Sequence, residues 1–181
     1  MTTETATLGG GCFWCIEGAL RHVHGVTRVE SGYAGGHLPN PSYEQVCGKQ
    51  TGHAEVVRVD FVPAVLGYAD LLRMFFTLHD PTTKDRQGND VGPQYRSIIL
   101  THSPEQAETA RAVMAEIEAA GIWGGRLVTE LLPAAAYWPG EAEHQDYFAR
   151  NPDSGYCRVV VAPKVAKFRK TFAARLKAQA A

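Results

Sequence analysis

Long apolar runs are missing from this sequence. Its greasiest stretch, Val65 to Leu78, carries Asp70 and Arg73, so it falls short of the roughly 18 uninterrupted apolar residues that a spanning helix needs. Membrane insertion is excluded, and a soluble protein is expected. An excess of charge is missing too: 18 Lys and Arg stand against 19 Asp and Glu, for a net charge of −1. With a pI near 6.6 there is no basic face to neutralise phosphates, and nucleic acid is not an expected partner. No basic residue precedes Arg21; without the charged n-region of a secretory signal, the cytoplasm is the expected compartment. Cysteine is sparse, four in 181 residues. That is too few for a disulfide scaffold, and in a reducing compartment the four read as catalytic, metal-bound or core thiols. Repeats, low-complexity blocks and linker-like shifts in composition are absent as well. The function therefore has to lie in a local site on one domain spanning residues 1–181.

What is present is an interleaved pattern of strands and helices. Residues 2–8 read as a strand, Gly9-Gly10-Gly11 as a turn and Cys12 to Val23 as a helix. Val26 to Tyr33 is a strand, Ser42 to Val46 a helical turn, and Ala54 to Phe61 a strand of clean alternation. Tyr68 to Leu78 has helical spacing, and a polar stretch from His79 to Gln94 follows it, long enough to suggest a functional loop. Tyr95 to Leu100 and Leu127 to Leu132 read as strands. Between them, Pro104 to Ala120 is a helix started by Ser103 and stopped by Gly121. Glu141 to Arg150 is expected to be helical, Arg158 to Val161 a short strand, and Lys164 to Lys177 a basic terminal helix. The sum is an α+β fold with a mixed, mainly antiparallel sheet and helices packed on it.

Cys12 is the residue most suited to chemistry. It follows three glycines and begins a helix, where free backbone N–H groups and the helix dipole favour a thiolate. The glycines suggest close approach by another molecule, against the plainer reading of Cys12 as a small buried hydrophobe. Cys15 completes C-x-x-C on the same turn, near enough for a disulfide, so redox cycling is possible. Zinc is the rival, but Cys47 and Cys157 are single and far apart rather than a second ligand pair. Cys47 reads as a packed core thiol. Phe13 and Trp14 between the two cysteines serve either as core anchors or as an apolar pocket for a small methyl-bearing substrate.

The motifs G-C-F-W (Gly11 to Trp14), G-Y-A-G-G around Tyr33, P-N-P-S-Y ending at Tyr43, and T-G-H-A-E ending at Glu55 occur in that order. R-Q-G-N-D ending at Asp90, Q-Y-R-S with Tyr95, and H-Q-x-Y from His144 to Tyr147 follow them. In this combination, over roughly residues 5–157, the chain resembles the peptide methionine sulfoxide reductases of the A type. The resemblance implies reduction of the S epimer of methionine sulfoxide, free or in oxidised proteins, by a single catalytic domain. The implied fold is a two-layer α/β sandwich, ferredoxin-like. No metal or prosthetic cofactor is implied; the reductant is an external dithiol such as thioredoxin, and the protein is expected to be a monomer.

Within that resemblance Cys12 attacks the sulfoxide sulfur, and a proton must reach the departing oxygen. Glu55, among apolar neighbours at the start of a strand, fits a proton donor of raised pKa, though by itself it reads as an exposed salt-bridge partner. Tyr43 and Tyr95 match the hydroxyl donors that hold the oxygen, and Asp90 matches a supporting carboxylate. Alone they read as a turn aromatic, a strand core residue and a turn former. His53 reads as structural, with orientation of the site as the alternative. The resulting sulfenic acid is closed to a disulfide by a second thiol. Cys157 in G-Y-C occupies the family's resolving position, but the short C-x-x-C span favours Cys15, leaving Cys157 as a relay or inert. Two rival readings are a thioredoxin-like disulfide oxidoreductase and a metal-binding interaction module.

Overall fold

A computed structural model describes residues 1–178. The sheet has six strands: β1 (Glu4–Gly9), β2 (Val26–Ala34), β3 (Ala54–Phe61), β6 (Ile98–Thr101), β7 (Glu130–Pro133) and β8 (Tyr137–Pro139). Their spatial order is β7-β6-β1-β3-β2-β8. Every pairing is antiparallel except that of β6 with β7. Two-residue strands β4 (Arg86–Gln87) and β5 (Asp90–Val91) make a separate hairpin within the polar stretch expected to be a loop.

Helices α1 (Phe13–Leu20), α3 (Tyr68–Phe75), α4 (Pro104–Ala120) and α6 (Ala162–Thr171) accompany this sheet, with short helices α2 (Tyr43–Cys47) and α5 (Tyr147–Arg150) in its connections. Ser103 caps α4 by accepting the Gln106 N–H, and Gly121 ends it in the left-handed region at φ 66°, as the sequence predicts.

Alternation along β3 decides the site. Val57, Val59 and Phe61 belong to the large core shared with α1, α3 and α6, while Ala54 and Val56 join a small cluster with Ala34, Ile98 and Leu100. Period two therefore turns Glu55 to the helix side, opposite Tyr33 of β2 in the ladder. No helix among the described residues is long and apolar enough to cross a membrane.

Several local expectations are corrected. Arg158 to Val161 is not a strand: Cys157–Val161 form a π-helical turn that runs into α6. The β-branched run suggested extension, but Cys157, Val161, Val165 and Phe168 are the buried residues, a stripe of helical period. Pro163 near the start of α6 offers no N–H to the preceding turn. The predicted helix Glu141 to Arg150 splits into a 3-10 turn, Ala142–His144, and α5, because Asp146 between them is left-handed at φ 55°. The terminal helix stops at Thr171, and Leu176 bridges back to Val23. Strand β8 had no counterpart in the sequence reading.

Candidate active site

Strand β1 delivers the chain through its three glycines to the start of α1. A Cβ on Gly10 would lie 2.6 Å from the His79 ring, and one on Gly9 would lie 2.8 Å from the Glu55 carbonyl oxygen. Gly11, at φ 79°, donates its N–H to the Tyr95 carbonyl at 3.1 Å. The glycines thus admit close packing by the protein's own neighbouring segments, β3, β6 and the stretch after α3.

Cys12 is the N-cap of α1 and is 7% exposed. Its side chain makes no capping hydrogen bond, and the Cys15 thiol and the Glu55 carboxyl stand near enough to bear on its ionisation. Burial pushes the Cys12 thiol well above its usual range, with Cys15 and Glu55 adding to the shift and the Trp14 N–H opposing it. The expectation of a resting thiolate is therefore corrected: desolvation outweighs the helix terminus. Part of that terminus also serves another group, because the Phe13 N–H is donated to Glu55 Oε1 at 3.2 Å.

Glu55 is 1% exposed, so the plainer reading of a surface carboxylate fails. Its Oε2 is buried and has no partner among the described residues. Burial raises its pKa from 4.5 to about 8, with Asp90 and Cys15 adding and the Phe13 N–H opposing. At neutral pH this is a carboxylic acid with a free oxygen.

Two tyrosines reach the same region from different elements. Tyr43 opens α2, whose Ser42–Gln45 capping box fixes its start. Tyr95 ends the 3-10 turn Pro93–Tyr95. Burial first, then Glu55, pushes both hydroxyls above their usual range, so each remains a neutral donor. Cys47, at the end of α2, is half-buried rather than a packed core thiol. Asp90, on β5, accepts the Tyr156 hydroxyl at 2.6 Å. His53 accepts the Gly36 N–H on Nδ1 and reaches the Leu38 carbonyl through Nε2 at 2.7 Å. It staples the 36–53 loop, in keeping with a structural role.

Of the two expected pocket aromatics, Phe13 is fully buried and only Trp14 keeps some exposure. The Trp14 ring stacks on Tyr147 at 3.7 Å and 7° and meets Tyr156 edge-on at 5.7 Å. Tyr43 lies 4.1 Å from His144. Glu141 accepts the Tyr33 hydroxyl at 2.9 Å and the Tyr43 N–H at 3.0 Å. Sequence reasoning gave no role to Glu141, His144, Tyr147 or Tyr156. Their only signals were H-Q-x-Y and the tyrosine beside Cys157.

Cys15 and Cys157 differ in placement. Cys15 lies one turn from Cys12 on α1, whereas Cys157 sits in the π-helical turn; both are buried, and all four cysteines are free. Ligand atoms of Glu141, Glu143 and His144 lie within 4.8 Å of one another and form the one cluster of metal-ligating type among the described residues. Both Glu141 oxygens are already engaged by Tyr33 and Tyr43.

The family model described as peptide methionine sulfoxide reductase matches residues 4–176. Peptide methionine sulfoxide reductase MsrA of Granulibacter bethesdensis is 56% identical over 178 residues, covering 98% of this chain and 96% of its own. Among solved structures, Mxr1 from Saccharomyces cerevisiae in reduced form is similar at TM-score 0.80 and 33% identity, over 86% of this chain and 89% of that one. Mxr1 in complex with Trx2 is similar at TM-score 0.55 and 25% identity, over 80% and 84%. With sequence likeness spanning nearly its whole length and a matching α+β fold, the chain belongs to the peptide methionine sulfoxide reductase family.

Proposed function

We propose that the chain reduces the S epimer of methionine sulfoxide, free or in oxidised proteins, with Cys12 as nucleophile and Glu55 as proton donor. The observation that carries this reading is a buried carboxylic acid, raised to about 8, whose Oε2 has no partner among the described residues and whose Oε1 is tied to α1 at Phe13, next to Cys12. Glu55 protonates the sulfoxide oxygen as Cys12 sulfur bonds to the substrate sulfur, and the thiol proton of Cys12 returns the acid. Oxygen passes to Cys12 as sulfenic acid and methionine leaves, so the thiol plus sulfoxide become sulfenic acid plus thioether. Tyr43 and Tyr95 hold the oxygen as neutral donors, and Asp90, with Tyr156, supports that side. Trp14, backed by Phe13, takes the methyl group.

Cys15 then attacks the sulfenic sulfur, forming a Cys12–Cys15 disulfide and releasing water. Its place one turn from Cys12 on α1 supports this choice, and the setting of Cys157 in the π-helical turn before α6 leaves that thiol as a later relay or inert. Thioredoxin, as in the yeast complex, reopens the disulfide by exchange. No prosthetic group enters this cycle. The free cysteines suit a reducing cytoplasm. We take residues 1–181 as one catalytic domain and a monomer, of which 179–181 lie outside the described residues. The central order β6-β1-β3-β2 supports a two-layer, ferredoxin-like sandwich. Turnover of the separate epimers with dithiothreitol tests the reading: only the S form should be reduced, and equal use of both epimers would overturn it.

A further inference from the structure

Trp14 and Glu17 stand three residues apart on α1 and so share one face of the helix. Glu17 is 4% exposed, a buried carboxylate the proposed chemistry does not use. Its Oε1 accepts the Asp146 N–H at 2.6 Å, and its Oε2 accepts the Ser31 hydroxyl at 3.3 Å. The Asp146 amide leads into α5, and Asp146 itself holds a left-handed φ of 55°, a region aspartate enters more readily than most side chains. Gln145 ties the same segment to β2, accepting the Ser31 N–H at 2.9 Å and donating to the Ser31 carbonyl at 2.8 Å. The next ring, Tyr147, lies flat on Trp14 at 3.7 Å.

We infer that Glu17 is a positioning residue for substrate binding: by holding the main chain at Asp146, the residue before Tyr147, it sets the Tyr147 ring against Trp14 and so shapes the wall that receives the methyl group. This rests on the reading of Trp14 as that wall. A helix residue on the same face as the indole thereby fixes the place of a ring 130 positions further along the chain. Burial pushes the Glu17 pKa up to about 7, against the Ser31 hydroxyl, Arg21 and Arg150. A glutamine, neutral and of the same shape, can therefore keep the main-chain acceptor.

The test compares wild type with Glu17→Met, which preserves volume but removes the acceptors, and with Glu17→Gln, using the S epimer of methionine sulfoxide and dithiothreitol. Glu17→Met should raise KM about tenfold, the effect of losing one aromatic wall contact, while leaving kcat within about twofold. Glu17→Gln should restore most of the wild-type KM. In a Tyr147→Ala background, itself raised in KM, Glu17→Met should add little, because both act through one ring. An unchanged KM in Glu17→Met, or additive effects in the double variant, would overturn the inference. Should Glu17→Met fail to fold by circular dichroism, an unchanged KM in Tyr147→Ala alone overturns it and a raised one supports it. Failure of the underlying reading looks different, since wild type itself would then not reduce the S epimer.

Discussion

Two effects of opposite sign meet at Cys12. The start of α1 offers it the Trp14 N–H, and burial with a neighbouring thiol and carboxyl pushes its ionisation up. At 7% exposure the second wins, so the sulfur rests as a thiol and, in the proposed cycle, ionises as the substrate oxygen accepts a proton. Cys12→Ser should abolish turnover, since serine is a far weaker nucleophile toward sulfur, and methionine release measured in a single turnover checks this. In the proposed cycle Glu55 supplies the complementary proton. Below its pKa of about 8 it is protonated and above that it is not, so kcat/KM should fall as pH rises through about 8. Glu55→Gln should lower kcat/KM about a hundredfold to ten-thousandfold and remove that alkaline limb. Rates measured from pH 6 to 10 decide it, and an alkaline limb that persists unchanged in Glu55→Gln would assign the proton to another group.

The choice of resolving thiol belongs to the elements that carry the cysteines. Helix α1 carries Cys15 one turn from Cys12, whereas Cys157 belongs to a continuous helical segment whose buried stripe also holds Val161, Val165 and Phe168. Mass mapping after one turnover should find a Cys12–Cys15 bridge in wild type and in Cys157→Ser. If Cys15→Ser forms Cys12–Cys157 at the wild-type rate, the assignment to Cys15 fails. The glycine turn between β1 and α1 gives a second prediction at this scale. A methyl at position 10 would lie 2.6 Å from the buried His79 ring, so Gly10→Ala should destabilise the protein by about 1–3 kcal/mol, read from denaturant midpoints.

Across the whole molecule, the buried Glu55 couples folding to pH. Its pKa rises from 4.5 to about 8 on folding, so between those values the folded state holds a proton that the unfolded state has lost. The stability from this group is full below 4.5 and is lost as pH rises through about 8, at most about 1.4 kcal/mol per pH unit. Glu55→Gln carries no such proton. Its stability relative to wild type should therefore grow from pH 5 to pH 9, and a difference in melting temperature that stays flat over this range would contradict the buried, protonated state.

Residue order along the chain was enough to specify the strands that alternate cleanly, the caps of α4 and the motif order that carries the family. Each of these is written in neighbours along the chain: period two in Ala54 to Phe61, Ser103 before Pro104, cysteines three apart. It also placed Cys12, Glu55, Tyr43, Tyr95 and Asp90 in one proposed site. The ionisation of Cys12 was decided only by the tertiary structure, because desolvation depends on what packs against the sulfur, and local dipoles gave the wrong sign. The helical state of Cys157 to Val161 was likewise set by the core stripe, against a β-branched run that reads as strand. Glu17, Tyr147 and Tyr156 gained their neighbours only on folding: Glu17 meets Asp146 across 129 positions and Tyr156 meets Asp90 across 66. No local pattern encodes such separations; a closed core does.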